Sequence, residues 1–391
     1  MKILVFLPRF PYPLNKGDKL RAFNQIKELA KNNDVFLFSL THKTIKDDYI
    51  KELKQYCKQI HVEKLSLFAV LFSLIKSIFS RQPLQVALFT TKKSKRRFQD
   101  FFSKTSPDIS YFQFVRSAEY AKEVSLPRVL DFQDCLSINI LRRANISNIF
   151  DKLVLSNESK RLTYYENNMF DIFSALTIIT AQDRDCLQSN RKNEVHIIEN
   201  GVSQSYFIYN KTFEKKYDII FSGNMSYKPN IVAAKYLIRE IMPIVWKKMP
   251  KAKVVLAGSN PTKELQALSN ENVIVTGWVD DMRDYYAQSR IFIAPMQIGS
   301  GLQNKLLEAM AMSLPCITTP IAFAAIDCKE NEDILVADNS KDLADNVVAL
   351  LTDEVLYSSI AKNGNAFVQN HFSWQQSTAK LENIFRSCIS K

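Results

Sequence analysis

Residues 290–310 read RIFIAPMQIGSGLQNKLLEAM. Arg290 to Pro295 is an apolar run of strand length, and from Leu302 onward apolar residues recur at helical spacing. The segment therefore reads as strand, turn, helix. Only eight of the 391 residues are glycine, and two of them, Gly299 and Gly301, fall in that turn. A chain this poor in glycine keeps it where φ must be positive or where a ligand approaches the main chain closely. An anion suits such a turn best, because the first helical turn has unpaired N–H groups and the positive end of the macrodipole. Lys305 lies within reach of it.

Working outward, the same alternation fills the chain. Strand-like runs without polar alternation fall at 2–7, 34–40, 108–114, 128–132, 176–180 and 195–199, then at 217–222, 253–257, 272–276, 290–295 and 316–318. Continuous apolar strands separated by helical segments mean a parallel sheet covered on both faces. At 391 residues and 46% hydrophobic content the chain exceeds one core, and the turn formers from Asn200 and Gly201 to Lys216 mark a boundary. The fold class is α/β, with two doubly wound Rossmann-like domains. In such sheets ligands bind beyond the carboxyl ends of strands. Gly201, Gly223, Gly258, Gly277 and Gly299 fall just after predicted strands, and four of these are in the C-terminal half, so that half should hold the phosphate-bearing ligand. Gly17 stands alone in the first half's opening loop, ahead of a helix with Lys19 and Arg21, where a looser second ligand fits.

A formal charge of +12 attracts something acidic. Residues 65–79 form an apolar stretch interrupted by Lys76, and Lys92, Lys93, Lys95, Arg96 and Arg97 crowd the segment soon after. The stretch is shorter than the roughly 20 residues that cross a bilayer. Two readings stay open: an apolar helix lying on an anionic membrane surface, or a buried helix followed by a solvated charged one. No nucleic-acid motif accompanies the charge. Six cysteines without a CxxC pair argue for a reducing compartment and against structural zinc. No apolar leader precedes a cleavage site, so a cytoplasmic location is expected, including the inner membrane face. His42, His61, His196 and His371 have no metal-ligand spacing, and Asp280 and Asp281 read as helix caps.

The run from Gly299 to Met312, followed by Leu314, Pro315 and a strand to Thr319, resembles the donor-binding signature of family four glycosyltransferases of the GT-B fold. Thr180 to Asp185, Ile197 to Val202, Phe221 to Met225, and His371 to Trp374 resemble other segments of that family, so the likeness covers nearly the whole chain. Arg9 to Arg21 resembles bacterial sugar transferases of exopolysaccharide systems. The resemblance implies an acceptor-binding domain at 1–205 and a nucleotide-sugar domain at 206–371, facing a central cleft. It also implies a final helix at 372–391 that crosses back to the first domain. It implies transfer of a sugar from a nucleotide diphosphate sugar to a hydroxyl of a saccharide or lipid-linked saccharide acceptor, with retention and without a metal or other cofactor.

By that resemblance Glu308 accepts hydrogen bonds from the ribose hydroxyls. Lys305, one turn earlier on the same face, meets the diphosphate. Gly223, Asn224, Lys228, Gly299, Ser300, Gly301 and Leu302 complete the donor side. Two positions depart from the family pattern. Ser300 stands where a glutamate usually contacts the donor sugar, so the sugar does not carry over, and Asn224 stands where arginine is usual. In the first half, Asp131 and Asp134 flank a strand end. Asp134 is either a group that orients the acceptor or supports an oxocarbenium-like transition state, or a helix cap. Gly17, Lys19, Arg21 and Asp131 form the expected acceptor side, and Asp134, Lys305 and Glu308 the expected catalytic set. A nucleotide-sugar epimerase and a noncatalytic partner subunit of the same fold are the alternatives.

Overall fold

The computed structural model describes residues 1–391 except 15, 146, 299–301 and 391. They form two compact units, Met1–Asn200 with Trp374–Lys391, and Gly201–Ser373.

In the first unit β1 (Lys2–Leu7), β2 (Asp34–Thr41), β3 (Cys57–Lys64), β4 (Ile109–Gln113), β5 (Arg128–Asp131), β6 (Ala175–Ile178) and β7 (His196–Ile197) form one sheet. Its order is β3-β2-β1-β4-β5-β6-β7, and every pairing is parallel. Successive side chains of β1 serve opposite layers. Leu4 and Phe6 pack with Phe98, Phe112 and Leu162 on one face. Ile3, Val5 and Leu7 pack with Ile26, Leu29 and Phe385 on the other. Burial on both faces is why these strands carry no polar alternation. Strand β3 escapes an apolar-run reading because it lies at the sheet edge, and its sequence CKQIHVEK is largely polar.

The closing helix Trp374–Ile389 belongs to this unit. Leu381 and Phe385 are fully buried in its core, with the Phe385 ring 5.3 Å from that of Tyr111.

The second unit has β8 (Tyr217–Ser222), β9 (Val254–Ala257), β10 (Val273–Gly277), β11 (Ser289–Ala294), β12 (Cys316–Thr318) and β13 (Leu335–Val336). They pair in parallel in the order β10-β9-β8-β11-β12-β13. The two-residue edge strand β13 is too short to register as an apolar run. Both sheets reverse their winding at one point, between β1 and β4 and between β8 and β11. At such a point the loops from adjacent strands diverge and leave room for a ligand.

The first unit corrects one expectation. Arg21 and Asp131 do not face an acceptor: both side chains have no exposed surface, and Arg21 Nε lies 2.7 Å from Asp131 Oδ2. Arg21 Nη2 donates to Asp131 Oδ1 at 3.2 Å, and Nη1 donates to Asn200 Oδ1 at 3.0 Å. Thr177 Oγ1 donates to Asp131 Oδ1 at 2.9 Å. This bidentate, fully satisfied pair ties the first helix to β5 and to the end of the unit's first segment. Removing one partner leaves a buried, uncompensated charge. Asp131→Ala is therefore predicted to lower stability by about 3–5 kcal/mol in chemical denaturation; a loss under about 1 kcal/mol would show that the tie is not structural.

Candidate functional site

The switch point of the second unit collects the polar groups. Gly223 ends β8 with φ +150, and Gly258 ends β9 with φ +143. A Cβ on Gly258 would lie 1.8 Å from the Gly223 carbonyl oxygen, so glycine alone lets these two loops pass. Gly223 N donates to Ala257 O at 3.0 Å, and Met225 N to Ser259 O at 2.8 Å. Asn224 Oδ1 accepts from Ser226 N at 3.0 Å and from Ser226 Oγ at 2.8 Å, which folds the loop back before helix Lys228–Tyr236. Lys228, at the head of that helix, is exposed.

Lys305 and Glu308 lie in helix Asn304–Ala311, which follows β11 across the switch point. Lys305 Nζ donates to Asn230 Oδ1 at 2.6 Å and sits 4.6 Å from the Phe221 ring centroid. Asn230 Nδ2 in turn donates to Asn224 O at 3.0 Å. The lysine is thus aimed at the β8 loop, beside Gly223 and Asn224. Glu308 accepts from Tyr286 Oη at 3.3 Å and from the Tyr206 hydroxyl. Tyr286 Oη also lies 2.8 Å from Ser222 Oγ. Burial holds both phenols far above their ordinary pKa, so they remain donors to the carboxylate.

Neither charged group is fully compensated. Burial pushes the Lys305 ammonium down to about 7, opposed by the Glu308 charge. Burial pushes Glu308 up to about 7, opposed by the two tyrosines and Lys305. A cation source and a carboxylate acceptor, one helical turn apart and half-buried, can grip a ligand carrying both an anion and hydroxyls. Leu302 is half-buried and packs against the core. Gly299, Ser300 and Gly301 lie outside the described residues. The sequence reading missed Asn230, Tyr206 and Tyr286, and gave Phe221 and Ser222 no role beyond their place in the segment Phe221 to Met225. The first three lie up to 102 positions from Glu308, and no local pattern marks them. Asp281 does cap helix Met282–Ala287, accepting from Arg283 N at 3.0 Å.

The first unit has a second polar cluster at its own switch point. Phe114 and Gln133, just past β4 and β5, hold φ of 62° and 66°, costly for side chains of their size. Between these strained loops, burial and the nearby Asp183 charge raise Asp134 to about 6, opposed by Arg116. Asp134 Oδ1 is buried without a hydrogen-bond partner, while a hydrogen bond from the Asn139 side chain to the carboxylate opposes the rise in its pKa. On the β1 side Arg9 pairs with Asp18 at 3.0 Å, and Lys19 Nζ donates to Tyr12 O at 3.4 Å. Burial lowers the Lys19 pKa. Arg9, Asp18, Lys19, Gln113 and Phe114 line a small hollow there. Gly17 begins helix Gly17–Leu29 and is exposed.

Residues 216–353 match the glycosyl transferases group 1 family. The chain is 22% identical to a 44.6 kDa protein of the cps region of Klebsiella pneumoniae, covering 95% of this chain and 96% of that one. It is 25% identical to CapM, a capsular polysaccharide biosynthesis glycosyltransferase of Staphylococcus aureus, over 57% of this chain and 64% of that one. The fold superimposes on Anabaena HepE, solved with UDP, at a TM-score of 0.69 and 14% identity, covering 99% and 100% of the two chains. The protein is an enzyme of the glycosyltransferase class on a GT-B scaffold. Within that class it resembles the bacterial family-four transferases of surface-polysaccharide systems.

The partly compensated pair has a consequence for the ligand-free protein. Between the ordinary carboxylate range and about 7, folded Glu308 holds a proton that the unfolded chain has released, so its contribution falls as pH rises through that window. Lys305 runs the other way: between about 7 and 10.5 the folded protein lacks a proton that the unfolded chain keeps, so stability recovers as pH rises. Glu308→Gln removes the carboxylate penalty and retains an acceptor for both tyrosines. It is predicted to raise the stability of the free protein by about 1–3 kcal/mol at about pH 8. Thermal unfolding checks this, and a destabilised variant would mean that the carboxylate is already satisfied.

Proposed function

We propose that this enzyme transfers a glycosyl unit from a nucleoside diphosphate sugar to a hydroxyl of a saccharide or lipid-linked saccharide, with retention of anomeric configuration. The acceptor is presented at an anionic membrane surface on the cytoplasmic side, and the product enters a surface polysaccharide. The observation that carries the reading is Lys305 and Glu308, set one turn apart at the head of a helix beside the β8–β11 switch point. Asn230 and two tyrosines hold them there. The role of CapM in capsular polysaccharide biosynthesis and the UDP bound by HepE support the same reading.

In this scheme the Lys305 ammonium meets the diphosphate, and the first-turn amides of helix Asn304–Ala311 add the positive end of its dipole. Both interactions strengthen as the bond from the anomeric carbon to the diphosphate oxygen breaks and charge gathers on the leaving group. That is where electrostatic stabilisation lowers the barrier. Glu308 accepts hydrogen bonds from the ribose diol. The departing diphosphate oxygen takes the proton from the acceptor hydroxyl as the new bond to the anomeric carbon forms on the same face. No side-chain nucleophile is required, and protein donors take the part of a metal ion. In the first unit the Asp134 carboxylate accepts from the acceptor hydroxyl and orients it. Lys19 and Gly17 border the acceptor, and Lys228 adds a second cation on the donor side.

The test begins with calorimetric titration of UDP, GDP, ADP and dTDP, followed by transfer assays with the sugar nucleotide of the selected base. One nucleotide is expected to bind selectively. Lys305→Ala and Glu308→Ala should each weaken it at least about tenfold, with the circular dichroism unchanged. Wild-type affinity in both variants removes the assignment. A second outcome follows from the lowered Lys305 pKa: binding a diphosphate anion restores the ammonium. At about pH 8 nucleotide binding is therefore expected to take up a proton, seen as a dependence of the binding heat on buffer ionisation. That dependence should vanish in Lys305→Ala.

A further inference from the structure

Helix Leu67–Ile78 turns the usual pattern of a surface helix outward. Its Val70 and Ser77 are buried, yet Phe68 is 86% exposed, Phe72 65% and Phe79, at its end, 88%. A solvent-facing side is ordinarily polar. The first turns of helix Ile149–Ile172 repeat the anomaly, with Ile149 71% and Phe150 79% exposed and Leu153 and Val154 outward beside them. The two helices are fastened together. Arg161 Nη2 donates to the carbonyls of Ser77 and Ser80, and the Glu158 carboxylate accepts from Leu84 N at 3.0 Å and Gln85 N at 2.8 Å. The Arg81 guanidinium lies 5.9 Å from the Tyr164 ring centroid. Val70 and Leu162 pack on the same layer as Phe6 and Phe112. The closing helix covers the opposite layer, with Ile3 and Val5.

Helix Leu67–Ile78 and the chain that follows it are basic, although Lys95 pairs with Glu119 and Glu123 and Asp151 lies in the outward first turn of the second helix. Residues 64–99 contain eight lysines and arginines and no aspartate or glutamate. Among the described residues no helix is long and apolar enough to cross a bilayer. The 12-residue helix Leu67–Ile78 is about 18 Å long at 1.5 Å per residue, against a hydrocarbon core of about 30 Å. An apolar stripe too short to span, bordered by cations, matches a helix lying in the plane of an anionic membrane, rings down and lysines at the headgroups. A second copy meeting this face across a two-fold axis would bring the same cations against each other.

We infer that the first unit docks on an anionic lipid bilayer through the outward faces of helices Leu67–Ile78 and Ile149–Ile172. This deepens the membrane part of the function proposed above and stands apart from glycosyl transfer itself. The test is flotation of the full chain with phosphatidylcholine vesicles, with and without phosphatidylglycerol, at low and high salt. Sedimentation equilibrium is run on the same preparations. Binding is expected only to the phosphatidylglycerol vesicles and should weaken with salt. The double substitution Phe68→Glu with Phe72→Glu should lower it at least about tenfold. Ile149→Ser with Phe150→Ser, on the other helix, should lower it as well. Nucleotide affinity, measured in parallel, should stay unchanged, which reports folding and separates this claim from the donor-site assignment. The inference is overturned if the wild type leaves both vesicle types unbound, or if the two variants float as the wild type does. It is also overturned if the face instead drives a concentration-dependent dimer that the substitutions dissolve.

Discussion

Burial of both sheets on both faces is the constraint from which the remaining structure follows. A strand whose side chains all enter an apolar layer has no place for ionised groups except at its ends. The carboxyl ends open into the loops that precede helices, and where the winding direction reverses those loops part. Lys305, Glu308, Gly223 and Asn224 gather at one such place. Asp134, Gln133, Phe114 and Lys19 gather at the other. Two unrelated stretches of sequence thus acquire the same kind of polar clearing because they obey the same packing rule.

Two ion pairs show how differently one chemistry can be used. Arg21 and Asp131 share two hydrogen bonds, recruit Thr177 and Asn200, and expose nothing. Their charges are compensated inside the protein, and neither side chain has surface to offer a ligand. Lys305 and Glu308 are held near each other by neutral partners, Asn230 on one side and two phenols on the other. Burial drives both toward their uncharged forms. A pair kept in that state costs stability, as the tension between stability and function leads one to expect of a binding site.

The apolar outer face of the first unit belongs to the same economy of surfaces. The inner sides of helices Leu67–Ile78 and Ile149–Ile172 help close one layer of the core. Their outer sides have no protein partner among the described residues, and residues 64–99 carry no aspartate or glutamate. An acceptor confined to a membrane would meet the enzyme in two dimensions, with the unit that carries Asp134 already at the lipid surface.

The alternation of apolar runs with helical spacing determined the two parallel sheets from the sequence by itself, because a fully buried strand must be apolar throughout. The glycine-marked turn and the pattern of Lys305 and Glu308 pointed to the helix of the candidate site, since local periodicity puts both on one face. The edge strands β3 and β13 were not legible, one being half-polar and the other only two residues long. Nor was the fate of Arg21 and Asp131, which look like binding groups until the distance between them, 110 positions in sequence, closes to a hydrogen bond. Tyr206, Tyr286 and Asn230 became part of the site in the same way. Only the tertiary structure decided whether the apolar segment near Phe68 turns inward or outward, because hydropathy reports how much surface a side chain would hide, and packing alone reports whether anything is there to hide it.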